Sequence, residues 1–120
     1  MNVKKMVKSF SYAGKGFKAL LGSENNFQFH FLAAVLVVLA GFYFEVSRWE
    51  WSVLLIQITL VFSAEAFNTA IEKLCDVVSP EWDTRIGQVK DIAAAGVLIV
   101  AMIAVSVAVL IFGEKILALF

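Results

Sequence analysis

An all-α integral membrane protein, three spanning helices preceded by an N-terminal surface helix, is the fold class that three observations predict. Hydrophobic residues make up 61% of the 120 and charged residues only 17%, with a mean hydropathy of +0.85, well above the apolar share of a soluble domain. Three stretches free of clustered charge are long enough to cross a bilayer. The Lys and Arg residues fall almost entirely on one side of those stretches. At this length the chain is a single domain over residues 1–120. Ten basic and ten acidic side chains cancel, so no global field argues for nucleic acid and the distribution of charge carries the information. Cys75 is the sole cysteine, which excludes an internal disulfide and a thiolate metal cage.

The elements follow in order. Residues 2–21 place Val3, Met6, Val7, Phe10, Phe17, Leu20 and Leu21 at helical spacing, with Lys4, Lys5, Lys8, Lys15 and Lys18 on the remaining surface. Such a basic amphipathic segment lies in the headgroup plane against anionic lipid, or acts simply as a topogenic anchor. Gly14-Lys15-Gly16 lacks the spacing of a Walker A loop, and no strand precedes it. The first hydrophobic run begins near Phe27, too late and too long for a signal peptide.

Gly22 to Asn26 breaks the chain with helix-start chemistry, and residues 27–44 form the first membrane helix, apolar apart from Gln28, His30 and the tyrosine hydroxyl. Residues 45–50 make a polar turn flanked by Tyr43, Trp49 and Trp51, the aromatics expected at a membrane interface. A second membrane helix covers residues 51–77 and stops at Ser79-Pro80, because proline cannot continue the hydrogen-bond ladder. Residues 81–90 read as a polar connection with Trp82 as an interfacial anchor. The third helix covers residues 91–112; its uncharged part from Ile92 to Phe112 is about 31 Å long, enough to span. Its opening Ala93-Ala94-Ala95-Gly96 suits close approach of a neighbouring backbone.

Three spans put the termini on opposite faces. The arm and the 73–90 region hold eight of the ten Lys and Arg residues, so they should be cytoplasmic, with the C-terminus outside. The expected location is therefore a bacterial cytoplasmic (inner) membrane.

The chemistry concentrates on the second helix. Glu65 follows an uncharged run from Trp51, and an acid there costs about 2.5–3.5 kcal/mol on insertion scales, so a functional role is the default reading. The alternative is interhelical hydrogen-bonding glue. At about 100° per residue, Asn68, Glu72 and Asp76 fall about −60°, −20° and +20° from Glu65, so four polar groups share one stripe. The predicted topology brings Glu24, Glu72 with Asp76, and Lys90-Asp91 to one depth, with Glu65 and Asn68 deeper. Gathered carboxylates repel unless a cation intervenes. Mg²⁺, commonly held by one or two carboxylates plus substrate phosphates, suits Glu24 and Glu72 with a nucleotide triphosphate. Lys90 would neutralise transferring phosphate, and Glu65 suits a base acting on a lipid hydroxyl. Neither His30 nor Cys75 has a triad around it.

These residues resemble the prokaryotic diacylglycerol kinase family of small integral membrane kinases, which includes the undecaprenol kinases. The likeness rests on Glu65-x-x-Asn68-Thr69-Ala70-Ile71-Glu72-x-x-x-Asp76, on Lys90-Asp91-x-Ala93-Ala94 and on Glu24-x-Asn26-Phe27-x-x-His30. The resemblance implies a homotrimer with active sites shared between subunits, ATP and Mg²⁺ as co-substrate and cofactor, and a lipid alcohol as acceptor. It implies Glu65 as catalytic base with Asn68 beside it, and Glu24 and Glu72 as metal-binding acids. Tyr12, Gly87, Lys90 and Asp91 would line the nucleotide pocket, and the role of Asp76 stays open. The arm departs from the diacylglycerol kinases, with Gly14 where they carry a tryptophan and Lys5 where they carry an arginine. His30 stands where diacylglycerol-preferring members carry an acid and undecaprenol-preferring ones a histidine. Otherwise it reads as a packed, hydrogen-bonded membrane histidine.

Two other classes remain in view. A small proton-coupled transporter would explain Glu65, though not the acids and Lys90-Asp91 at the cytoplasmic edge. A noncatalytic scaffold on the basic arm leaves the polar stripe without a purpose.

Overall fold

The structure, a computed structural model, describes residues 1–120. It consists of four helices: α1 (Val3–Ser23), α2 (Asn25–Tyr43), α3 (Arg48–Val78) and α4 (Thr84–Leu117). The last three are each long and apolar enough to cross a membrane. α3 and α4 form the most extensive pair, α2 lies against α3, and α1 packs on α2. Only ten residues are buried, so the apolar flanks of a single protomer must face lipid or neighbouring chains rather than an internal core.

Sharp corners separate the helices. Asn2 caps α1 by accepting from Lys5 N, and α1 ends at Ser23, two residues beyond the expected boundary. Glu24 alone is extended (φ −104°, ψ 106°) before α2 begins. Gln28 Nε2 bridges the corner to Leu21 O at 2.9 Å, satisfying one of the carbonyls that a helix end leaves unpaired. Phe27, the most buried side chain at 1% exposure, meets Phe17 edge-on at 5.6 Å and Phe62 of α3 at 5.1 Å. Rings at such separations add about 0.5–1.5 kcal/mol per pair beyond their burial. The consequence is positional, because Phe62 precedes Glu65 by less than one turn and the α1–α2 corner is pinned there.

The α2–α3 turn is shorter than the sequence suggested, occupying residues 44–47. Glu45 takes φ 50°, and Val46 N returns to Gly41 O at 3.1 Å. Ser47 and Glu50 form a reciprocal capping box at 3.2 and 3.0 Å, which starts α3 at Arg48 rather than at residue 51. Gly41 is required by packing: a Cβ there would sit 2.6 Å from the Trp51 ring. Below this turn, Val46, Leu54 and Phe112 form the apolar cluster joining α2, α3 and α4.

α3 runs for 31 residues, about 46 Å, and α4 for 34, about 51 Å, both longer than the roughly 30 Å hydrocarbon layer. α4 begins at Thr84, so the expected connection over residues 81–90 shrinks to residues 79–83 and the helix start at residue 91 is corrected. Asp83 explains it: its Oδ1 accepts from Arg85 N at 2.8 Å, an N-cap that outweighs the polar composition of the segment. The Arg85 guanidinium beside Asp83 also holds its carboxyl below the usual carboxylate range. The helix ends at Leu117, past the expected residue 112, because Lys115 finds partners at Glu50 Oε2 (2.9 Å) and Ile111 O (3.1 Å). At Gly96 nothing lies within 4 Å of a built Cβ. The small-residue run at 93–96 is therefore not used for close packing inside one protomer.

Candidate functional site

α3 carries the centre of the site. Glu65 is 2% exposed and Asn68 4%, both on the face that continues into half-buried Glu72 and exposed Asp76. Asn68 Nδ2 donates to Glu72 Oε1 at 3.2 Å, the interaction expected of residues four apart on a helix. Glu65 Oε2 and Asn68 Oδ1 are buried without a hydrogen-bond partner. A buried polar atom left unpaired costs about 1–3 kcal/mol, so two within one turn mark a place built for something beyond the fold.

The α1–α2 corner supplies the second part. Asn26 and Glu24 at the corner and Glu72 on α3 all lie near enough to Glu65 to act on its carboxyl. One carboxylate from the corner and two from α3 thus share one neighbourhood. Glu24 Oε1 is 3.1 Å from Lys73 Nζ and accepts from Ser23 Oγ at 3.3 Å. No group of three or more His, Cys, Asp or Glu side chains converges as a metal cage.

α4 supplies the third part. Because the helix starts early, Gly87, Lys90 and Asp91 sit at i, i+3 and i+4 on neighbouring parts of its surface. Lys90 Nζ donates to Asp76 Oδ1 at 2.6 Å across the α3–α4 pair, which gives Asp76 a partner the sequence had not assigned. The exposed Trp82 ring lies over Gly87, where a Cβ would meet it at 3.4 Å.

Two of the sequence-predicted residues stand apart. Tyr12 is an exposed side chain on α1 with the Lys15 ammonium 5.7 Å above its ring, and no hydrogen bond joins it to α4. His30 sits on α2, edge-on to Phe29 at 5.8 Å. It lines a cavity of about 200 Å³ between α2, α3 and α4.

Sequence reasoning passed over three participants. Lys73 was counted only as topogenic charge, since nothing in the chain order shows that it meets Glu24. Asn26 was quoted in a motif without a role. Gln57, whose Oε1 is also buried without a partner, lies in the uncharged run before Glu65; an amide at membrane depth was the available signal.

Residues 11–112 match the sequence model of the family described as prokaryotic diacylglycerol kinase. An undecaprenol kinase of Bacillus subtilis is 39% identical over 108 residues, covering 90% of this chain and 88% of that protein. A diacylglycerol kinase of Escherichia coli K12 is 30% identical over 101 residues, covering 84% and 83%. A diacylglycerol kinase of Synechocystis is 31% identical over 100 residues, covering 82% of this chain and 57% of that protein.

Proposed function

Because the chain belongs to the prokaryotic diacylglycerol kinase family and is a lipid kinase, we propose that it phosphorylates a membrane lipid alcohol by direct in-line transfer from ATP. Undecaprenol stands ahead of diacylglycerol as acceptor. The observation that carries the mechanism is the unpartnered Glu65 Oε2, buried on α3 beside Asn68.

Phosphoryl transfer asks mainly for positioning and charge neutralisation, with one group to orient or deprotonate the nucleophile. Glu65 takes the proton of the lipid hydroxyl at its free oxygen. The hydroxyl oxygen then bonds to the γ-phosphorus as the bond to the β,γ-bridging oxygen breaks, and ADP leaves. Asn68, tied to Glu72 at 3.2 Å, keeps Glu65 next to the metal-binding side of the stripe.

Glu24 and Glu72 fit Mg²⁺ as a pair of hard oxygen donors on two elements, with substrate phosphates completing the set. When bound, the ion supplies neutralisation of triphosphate charge. Lys73, 3.1 Å from Glu24, would give way at that carboxylate to the ion. Lys90, aligned by Asp76, lies against the transferring phosphate, while Asp91, Gly87 and Tyr12 line the nucleotide pocket. No hydrogen bond joins Tyr12 to α4 within one protomer, which fits a site completed by a neighbouring subunit of a homotrimer.

The arm lies on the cytoplasmic leaflet of the bacterial inner membrane as an amphipathic surface helix, with the C-terminus outside. Its five lysines and the lone basic residue of each outer segment support that orientation. The greater identity to the undecaprenol kinase, together with His30, supports the acceptor. A proton-coupled transporter accounts for Glu65 alone and leaves Glu24, Glu72 and Lys90 without a purpose.

Purified protein in lipid should transfer ³²P from Mg-ATP to undecaprenol faster than to diacylglycerol presented side by side. Glu65→Gln should abolish transfer while nucleotide binding persists; equal turnover would remove Glu65 as the base.

A further inference from the structure

Three of the four helices begin with a capping side chain and one does not. Asn2, Ser47 and Asp83 each accept from an amide of the helix they precede, whereas Glu24, the N-cap of α2, makes no such bond. An acid at that position ordinarily satisfies a free amide and gains from the positive end of the helix dipole. Glu24 is turned to α3 instead, where Lys73 Nζ lies 3.1 Å from its Oε1. Its one other side-chain partner is the neighbouring Ser23 Oγ at 3.3 Å. As the single extended residue between α1 and α2, Glu24 is fixed in depth, and its side chain is 25% exposed against 65% for Lys73. The acid is held and the base is free to move. Lys73 directly follows Glu72 in the chain, yet Glu72 accepts from Asn68 Nδ2 at 3.2 Å rather than from the ammonium. Both candidate metal acids are therefore occupied by nitrogen donors of α3. Lys90 is engaged with Asp76, so Lys73 acts alone on Glu24.

We propose that Lys73 is a tethered counter-ion of the metal-free site, standing at Glu24 where a divalent ion would otherwise bind, and that it sets how tightly that ion is held by competing for the carboxylate. The inference rests on the reading of Glu24 and Glu72 as metal-binding acids and extends it to what controls their affinity. Lys73 acts through Glu24 and is a positioning residue. Without a cation, Glu24, Glu72 and Glu65 repel one another, and the ammonium supplies one compact charge on a flexible stem. A divalent ion supplies two charges and can take oxygens from both acids, so it prevails, though only after the ammonium has left. The tether keeps Lys73 at a high effective concentration whatever the solution holds, so dissolved monovalent cations gain little access to Glu24. Because the pair is largely exposed, the barrier it sets is small. No second ion pair holds Lys73, and its long stem lets the charged head swing into water while the helices stay where they are.

The test is direct Mn²⁺ binding to the full-length protein in detergent at neutral pH without nucleotide, read from the free-ion signal in electron paramagnetic resonance. Lys73→Met keeps most of the stem and removes the charge. It should tighten Mn²⁺ binding about three- to fivefold, the most that an exposed ion pair holds back. Lys73→Arg, which preserves charge and reach, should bind Mn²⁺ as the unaltered protein does. In a Glu24→Gln background, Lys73→Met should leave binding unchanged, because the competition has lost its object. Equal or weaker binding in Lys73→Met alone would overturn the proposal while leaving Glu24 and Glu72 as ligands. Tightening of the same size in the Glu24→Gln background would overturn it too, since the lysine would then act as a general field and not by occupying Glu24. If Glu24→Gln by itself left Mn²⁺ affinity untouched, Glu24 would be removed as a ligand, and the metal reading at that position would fall together with the role of Lys73.

Discussion

The start and the middle of α3 hold carboxylates in contrasting ways. At the Phe44–Ser47 end, Glu50 accepts from Ser47 N through one oxygen and from Lys115 through the other, above a packed cluster of Val46, Leu54 and Phe112. At mid-helix, Glu65 is more deeply buried than Glu50, yet its Oε2 has no partner, and neither has Asn68 Oδ1. Both groups sit on one continuous helix in the same protein. The first acid is consumed by the fold, since it caps a helix and locks α4 to α3. The second is held in place by its neighbours and left with a free oxygen. Burial alone therefore does not distinguish structure from function here; satisfaction of the buried atoms does.

That contrast can be broken most forcefully at Glu65. Replacing it with Gln should lower phosphoryl transfer by about 10²–10⁴-fold, the usual contribution of a positioned base, with nucleotide binding retained by equilibrium dialysis. Glu72→Gln should raise the Mg²⁺ concentration for half-maximal turnover about tenfold, as loss of one of two protein carboxylates implies. Direct Mn²⁺ binding should weaken in parallel, and an unchanged titration would count against coordination at that position.

At the Phe44–Ser47 end the expected changes are in stability. Gly41→Ala would drive a methyl group into the Trp51 ring and should cost about 1–3 kcal/mol as overpacking, read as a lower Tm in detergent with turnover per folded molecule preserved. If turnover fell instead, the two regions would be coupled and the contrast between them would fail. Smallest is the effect of acid on the Asp83 cap. Its carboxyl is depressed by the Arg85 guanidinium, so its contribution is present above the ordinary aspartate value and disappears as pH falls through its lower folded value. Protection of the amides at the start of α4, taken relative to their intrinsic exchange rate at each pH, should fall over that acidic window, and Asp83→Ala should show the lower protection at neutral pH.

Much of this site could be read from residue spacing. Glu65, Asn68, Glu72 and Asp76 lie within twelve positions of one helix, where periodicity is enough to put them on a common stripe. Gly87 and Lys90 read as part of a connection and Asp91 as the first helical residue, because a run of polar residues hides an aspartate cap whose hydrogen bond only folded geometry displays. Lys73 was invisible as a partner of Glu24: forty-nine positions separate them (73 − 24), and their 3.1 Å contact exists because Phe27 seats the α1–α2 corner against Phe62. The cavity beneath Glu65 was equally hidden, since empty space between Ala104, Ala34 and Gln57 is a property of three helices at once.

What the sequence determined by itself was the number of spans, the order of the polar motifs and the stripe on α3, because hydrophobicity and helical period act locally along a chain. Tertiary structure alone decided which acid acquires a cation, which buried oxygen stays unpaired and where the bundle leaves a cavity. Those outcomes depend on how side chains from different helices fill, or fail to fill, a shared volume.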